Sequence, residues 1–547
     1  MRNKLLAGVA AVFPLMLMAT HSANAQSAAA IAGTVSSEKE GAMEGVVVTA
    51  QKTGSIVTVS VVSDDKGHYA FPKDRLEPGQ YNVTIRAVGY DNSAATKADV
   101  TADGGATADI KLKPTRNLSA QLNNAEWLAS FPGTEKQKDF LMDCTSCHTL
   151  ERVAKSTHDV DEWMTTITRM KGYAPVSQTI KPQRMLDPAR SGKPEDYREA
   201  AEYLATLNLS NTDKWEYPLK TMPRPKGAET HVIVTEYKMP RPTIEPHDVI
   251  LDKDGVVWYS NFGEMFIGKF DTKTLQHTEY PVKQYKADAP VGILNIDFDK
   301  NGKLWFDTMY QGALGQLDTK TGDMTMYPVP AEFNDVRTQL NFVGLRHDVD
   351  GKIWTKDVGT NNVLRLDIAS QKWEKFRPTD QLKGPAGIYQ LISDSKNNAW
   401  LAEFADGHLG KIDAKSGETK WFDTPEAHAR ARRMAIDEHD NILVTLYRAN
   451  AVTYFDTKNE KYTEYKLPTA FTAPYRAATD KNGDIWVSTM STDRVVRLDA
   501  KTGKTREYLL PTETNMRSAF VDDRGDKPVF WVGSNHQAAL VKVEPLD

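Results

Sequence analysis

The chain has 547 residues, too many for one ordinary hydrophobic core, so several domains are expected. Its charges nearly cancel, to a formal net charge of −5, and no run of Lys and Arg interrupts the balance; nucleic acid and anionic membrane surfaces are excluded as electrostatic partners. Only two cysteines are present, and both fall in one short stretch, which leaves every thiol-based role to that stretch.

In chain order, Met1 to Ala25 reads as an export signal. Arg2 and Lys4 give a positive start, Leu5 to Ala19 an apolar core broken by Pro14, and Ala23, Asn24 and Ala25 a small-residue cleavage site. The apolar run is short for a bilayer span, so the mature chain is expected to begin near Gln26, without a membrane span, in a periplasmic or secreted location.

Residues 30–114 alternate as an all-β segment. Val46 to Val48, Ile56 to Val62, and Tyr81, Val83 and Ile85 are β-branched or aromatic runs separated by Asp64, Asp65, Gly67, Pro78 and Gly79. The arrangement Gly67, His68, Tyr69, Ala70, Phe71, then Leu76, Pro78, Gly79, Tyr81, then Gly89, Tyr90 resembles the carboxypeptidase regulatory-like domain, which implies a small transthyretin-like β-sandwich in an accessory role. Pro114 to Asn124 reads as a linker.

From 125 to 209 the period becomes helical, with Trp163, Met164, Ile167 and Met170 at helix spacing and Tyr197, Ala201, Leu204 and Leu207 on one face. Within it stands Cys144, Thr145, Ser146, Cys147, His148. A thioredoxin-like pair, half a zinc site and a small disulfide loop are the other readings of two cysteines at this spacing. None of them explains a histidine directly after the second cysteine, whereas covalent haem attachment uses two thiols and that imidazole together. The segment resembles a compact class I cytochrome c, small and all-α. The resemblance implies one haem c held by Cys144 and Cys147, with His148 as proximal iron ligand. For the distal position Met170 is the first candidate and Met185 the second, ahead of Met164 and His158.

Residues 210–230 read as a second linker. After it, Trp258, Trp305, Trp354, Trp400, Leu443, Trp486 and Trp531 mark seven copies of one pattern at the period of a four-stranded propeller blade. Thr235, Glu236 and Tyr237 match the last strand of a copy, and the seventh copy lacks one, so the N-terminal strand is expected to close the ring. The Asp-Lys-Asp-Gly at 252–255 and Asp-Lys-Asn-Gly at 299–302 read as β-turns, not calcium loops.

The repeats, as in Trp400, Leu401, Ala402, Glu403, then Leu409, Gly410, Lys411, Ile412, Asp413, resemble the virginiamycin B lyase family over 231–547, which implies a seven-bladed β-propeller in a multidomain, mainly β protein. The family's chemistry, as the resemblance implies it, is Mg2+-dependent C–O elimination by a strand-start histidine with a glutamate fourteen residues on. Here the pair is split: His247 is followed at that distance by Asn261, and Glu403 is preceded by Tyr389.

Laid out by blade, the strand-start row reads His247, Leu294, Val343, Tyr389, Arg432, Tyr475, Arg517, and the second row Asn261, Thr308, Asp357, Glu403, Leu446, Thr489, Ser534. The first row suggests an anionic or phenolic small molecule held by Arg432 and Arg517, with His247, Tyr389 or Tyr475 moving a proton and Glu403 as a further candidate. Glu403 and Asp357 are a candidate pair for Mg2+ or Ca2+. Three functions follow: an exported haem protein that passes electrons to a periplasmic carrier and couples this to a substrate in the propeller; a virginiamycin B-type lyase with an accessory cytochrome; and a non-enzymatic electron-transfer or binding module.

Overall fold

The computed structural model describes residues 29–207 and 217–547; the expected export signal lies outside them. Among the described residues no helix is long and apolar enough to cross a membrane.

The N-terminal segment folds as a β-sandwich. One sheet carries the strands Val47–Lys52, Val57–Val62, Gly79–Arg86 and Thr96–Val100, and the other is built on Ala29–Ser37 and Ile110–Pro114. Alternation puts Val46, Val48, Ala50, Val59, Val61, Tyr81 and Val83 inside, against Phe71 and Ile110.

Residues 231–547 form seven four-stranded antiparallel units in the manner of a propeller. The strand Val232–Lys238 pairs along its whole length with Ala539–Pro545, so the ring is closed as the repeat count required. The repeated Asp-to-Trp spacing also has its cause. Asp252, Asp299, Asp394 and Asp480 each accept from the indole N–H of the tryptophan six residues on, at 3.0, 3.0, 3.1 and 2.8 Å. The other oxygen of Asp252 accepts the N–H groups of Asp254 and Val256, which accounts for the turn.

The sandwich and the propeller share a sheet. Val57–Val62 pairs antiparallel with the ring-closing strand, Val234 opposite Ser60 and Tyr237 opposite Val57, so seventh blade and sandwich are hydrogen-bonded edge to edge. Arg86 ties the join by donating to the Leu510 and Thr512 carbonyls at 2.8 and 2.9 Å.

Both expected linkers are held in place over their described residues. Gln121 binds the Gly89 N–H, the Tyr90 carbonyl and Asp91. Further on, the N–H groups of Lys220 and Met222 go to Ser130 and Glu126, and Arg224 reaches the Glu44 carbonyl. Composition alone predicts free chain there, but the backbone donors find fixed acceptors on both neighbours.

Between the two β units lie the helices α1 (Asn124–Ser130), α2 (Glu135–Cys144), α3 (Glu151–Ala154), α4 (Val160–Lys171) and α5 (Arg198–Ala205). Helices α1, α2 and α4 start with reciprocal capping boxes, at Asn123 with Glu126, Thr134 with Gln137 and Asp159 with Glu162. Their apolar faces, Leu128, Leu141, Trp163, Ile167 and Leu204, merge with Tyr447, Ala473, Tyr475 and Met490 of the propeller into one core. The helices therefore cap one end of the propeller axis.

Candidate functional site

The two cysteines sit where that cap meets the axis. Cys144 ends α2, and the turn after it is held from the propeller: Asn515 Nδ2 donates to the Thr145 carbonyl and Arg517 Nη2 to the Ser146 carbonyl, both at 2.9 Å. His148 Nδ1 is 2.9 Å from the Thr149 carbonyl, an acceptor that fixes Nδ1 as the protonated nitrogen and leaves Nε2 with its lone pair. Burial pushes the Cys144 thiol up to about 12 and the Cys147 thiol up to about 11, and lowers the His148 imidazole. Yet all three keep accessible surface, as do Tyr389, Phe404 and His536. Cys144, Tyr389 and Phe404 pack against the core that cap and propeller share, and their accessible surface lines a space between the two.

The propeller wall of that space begins with the strand starts. In every blade but the second the innermost strand changes register near its beginning, between Pro246 and Val249, Asn341 and Gly344, Ile388 and Gln390, Ala431 and Met434, Pro474 and Arg476, and Met516 and Ala519. A bulge places consecutive side chains on one side of a strand. It thus brings both His247 and Asp248, and both Arg432 and Arg433, to the axis.

These residues form one chain of contacts. The Tyr389 and Tyr475 hydroxyls are 2.7 Å apart, Tyr475 Oη is 3.1 Å from His247 Nε2, and His247 Nδ1 is 2.7 Å from Asp248 Oδ1. Asp248 also accepts Arg433 through two bonds of 2.8 and 3.0 Å across the axis, from the fifth blade to the first, and Asn295 at 2.9 Å. His247, Tyr475 and Arg433 have no accessible surface, while Tyr389 keeps some.

Charge at this end is lopsided. Arg432 lies over the rings of Tyr447, Tyr475, Tyr389 and Phe404, at 4.3, 4.5, 4.8 and 5.3 Å from their centroids. Among the described residues neither Arg432 nor Arg517 pairs with a carboxylate, and the Nε of each is buried without a partner. Burial raises the Tyr389 phenol, but the guanidiniums of Arg432, Arg433 and Arg517 outweigh it and hold the group below the ordinary tyrosine value; Tyr475 stays raised, chiefly by burial. Burial lowers His247 to about 4 against the pull of Asp248. Burial would raise Asp248, yet Arg433 and His247 bring it well below the usual carboxylate range.

Glu403 and Asp357 stand elsewhere in this logic. The Glu403 carboxylate accepts the N–H groups of Gly387, Ala405, Asp406 and Gly407 at 2.7–2.9 Å. Asp357 accepts those of Gln339 and Gly359 at 2.8 and 3.0 Å, and the Thr360 hydroxyl at 2.7 Å. Both carboxylates close loops of their own blades. Among the described residues no group of three or more His, Cys, Asp and Glu side chains is placed to hold a metal ion.

Met170 lies in the last turn of α4 with 42% of its surface exposed. Met185 follows a turn closed by pairing of Tyr173 with Arg184, and packs half-buried beside Ala174, Val176, Met309 and Tyr310 of the cap-to-propeller core. Tyr310 is itself influenced by Cys147, and its hydroxyl lacks a partner. Met164 is a core residue of α4, as its helical spacing suggests, and His158 stacks edge-on against Trp163.

Sequence reasoning missed Asp248, Arg433, Glu245 and His536. The first two are one residue past the strand-start row, hidden because the bulges are invisible to a strict period of two. Glu245, pushed up to about 8 by burial, has an oxygen without a partner. His536, brought down to about 3 mainly by burial, lies near Arg517 and His148.

Comparisons with known proteins bear on the β units. Residues 371–545 match the virginiamycin B lyase family and residues 30–113 the carboxypeptidase regulatory-like domain; neither span includes the helical cap. No curated protein matches the chain. A streptogramin B lyase structure aligns at 19% identity over 58% of this chain and 99% of its own, with a TM-score of 0.50. Virginiamycin B lyase from Staphylococcus aureus aligns at 18% over 57% and 99%, with a TM-score of 0.49. The extracellular domain of a hybrid two component system from B. thetaiotaomicron aligns at 18% over 56% and 41%, with a TM-score of 0.44. The chain is thus a mainly β, multidomain protein with a carboxypeptidase regulatory-like sandwich and a propeller fold, part of which matches the virginiamycin B lyase family.

Proposed function

We propose that this is an exported c-type haem protein in which the propeller and the helical cap enclose a site for a small anionic or phenolic molecule, with electrons leaving to a separate exported carrier. The observation that carries the reading is the seating of Cys144 to His148 over the propeller axis by Asn515 and Arg517. The donor set fits the group: two thiols, an imidazole with Nδ1 tied to a carbonyl, and a thioether on the next loop, around an internal space. Cys144 and Cys147 would hold a haem covalently and His148 would ligate its iron, with Met170 or the half-buried Met185 as the candidate for a further ligand. When bound, the group supplies one-electron transfer. The chain's own residues supply the rest: Arg432 and Arg517 offer unpaired positive charge to an anion, the aromatic rings around Arg432 exclude water, and the tyrosine pair with His247 can carry a proton.

A virginiamycin B-type C–O lyase is the second reading, favoured by the family match over residues 371–545. It demands Mg2+-dependent opening of a cyclic depsipeptide, lost on His247→Ala and indifferent to haem. Here the glutamate at the family's position closes a loop and the axial end is capped.

The deciding experiment is a visible spectrum of protein exported from a host competent in haem c maturation, recorded oxidised, then with phenols, alcohols and organic acids, then with dithionite. Haem bands that one of these molecules reduces are the expected result. Ring opening without haem reduction transfers the protein to the lyase reading, and absence of covalent haem overturns the first reading.

A further inference from the structure

The strand-start histidine resembles a base, but it cannot touch a ligand. His247 and Tyr475 have no accessible surface, and of the groups linked to them only Tyr389 opens on the internal space. We propose that Tyr389 is the residue that exchanges a proton with a small phenol bound there, and that Tyr475, His247 and Asp248 are a relay behind it. The inference rests on the ligand reading above and adds the identity of the contact residue.

The proton positions follow from the partners. Asp248 is ionised and acceptor-only, so His247 donates from Nδ1 and its Nε2 accepts. Tyr475 must then donate to His247, which leaves its oxygen to accept from Tyr389. One orientation of the chain is consistent, with every hydrogen pointing from Tyr389 toward Asp248, which leaves the lone pairs of the Tyr389 oxygen to Arg432 and to a ligand.

A phenol beside Tyr389 gives up its proton to the latter lone pair as Tyr389 passes its own to Tyr475, and Tyr475 passes its own to His247 Nε2. Each tyrosine ends with the proton count it began with. His247 becomes an imidazolium held by Asp248, and the ligand becomes a phenolate. The net change is one O–H bond broken in the ligand and one N–H bond formed on His247, with no electron transferred. Burial, which holds His247 at about 4, opposes the last transfer, and Arg432 and Arg517, which lack carboxylate partners among the described residues, offset it by stabilising the new anion. Arg433 is already neutralised by Asp248, and Lys356 is buried over the Tyr389 ring with its ammonium bound to the Ile388 carbonyl. Burial lowers Lys356 well below the ordinary lysine value.

Asp248 and His247 are in this account positioning and relay residues, and Tyr389 the contact. The test uses the full exported protein, reduced with dithionite, and 4-fluorophenol, whose fluorine NMR shift reports its ionisation. Below the free phenol's own pKa, the wild type is expected to bind it as phenolate. Tyr389→Phe and Tyr475→Phe, which keep shape and packing, still bind it, more weakly, but leave it protonated, and His247→Gln does the same. Ionisation that survives in Tyr475→Phe and His247→Gln overturns the relay and leaves Tyr389 acting alone. Ionisation that survives in Tyr389→Phe overturns Tyr389 as the contact. A wild type that binds 4-fluorophenol only in its neutral form refutes proton exchange while the ligand reading stands; no binding at all removes the ligand reading, and the relay with it.

Discussion

Two rows of polar side chains meet near one end of the propeller, fourteen residues apart in sequence, and they are satisfied in opposite ways. The row of Asn261, Asp357 and Glu403 binds backbone N–H groups: Asn261 takes those of Glu245 and Gly263, Glu403 takes four. The row of His247, Asp248, Tyr389, Arg432, Arg433, Tyr475 and Arg517 binds itself across blades and leaves two guanidiniums, Arg432 and Arg517, without carboxylates among the described residues. Backbone donors are fixed by the blade and present whatever the ligand, so a carboxylate that accepts them serves the fold. Side chains that hold one another around an open space have capacity left over, and that capacity is where chemistry can occur.

The largest effect is expected at the cross-axis pair. Asp248→Ala removes the only carboxylate that the fully buried Arg433 pairs with among the described residues. Breaking a buried pair from one side costs about 3–5 kcal/mol, because the remaining charge has nowhere to go. Urea unfolding should show the loss, and the double variant Asp248→Ala with Arg433→Met should recover part of it. A cost for the single variant no larger than for a surface carboxylate breaks the distinction between the rows.

The second test is acidification. The folded protein holds His247 at about 4, below the value of about 6.5 for an unfolded chain, so between those limits the unfolded state binds the extra proton. The imidazole's contribution is therefore fully present above pH about 6.5 and disappears as pH falls toward about 4, an effect of up to about 3 kcal/mol. Glu245, held up to about 8, has the opposite sign, stabilising below the unfolded carboxyl value and losing that as pH rises. Thermal unfolding midpoints across pH 4 to 6.5 should fall on the acid side, less steeply in His247→Gln. An unchanged slope in that variant places the titration on His536 or another group.

Much of this was legible in the sequence. Seven repeats, six of them marked by tryptophan, a lone fourth strand before them and the Asp six residues ahead of four of those tryptophans are regularities that depend on local period, and the blades follow them. The C-T-S-C-H stretch and the strand-start row were visible for the same reason. What a periodic reading lacks is the register shift: one extra residue at a strand start turns Asp248 and Arg433 to the axis. Nor can it show that Glu403 faces its own loop, since a glutamate bound by four backbone donors and one facing a ligand have the same sequence context. The docking of the cap on the axis is a tertiary fact, made by Asn515 and Arg517 reaching carbonyls more than 300 residues away.

Glu403→Gln sharpens the comparison with the smallest loss. An amide keeps one oxygen for two of the four N–H groups but turns an NH2 toward the other two, so two donors face a donor, at a cost of about 2 kcal/mol. The expected result is a lower urea midpoint with haem content, 4-fluorophenol affinity and ionisation of the bound phenol unchanged. Because Glu403 belongs to the strand next to the one bearing Tyr389, a change in stability alone is informative: it shows that a residue close to the site in both sequence and space serves the blade and not the ligand. Should the variant keep its stability and instead lose depsipeptide opening, Glu403 acts on substrate, and the lyase reading gains its missing carboxylate.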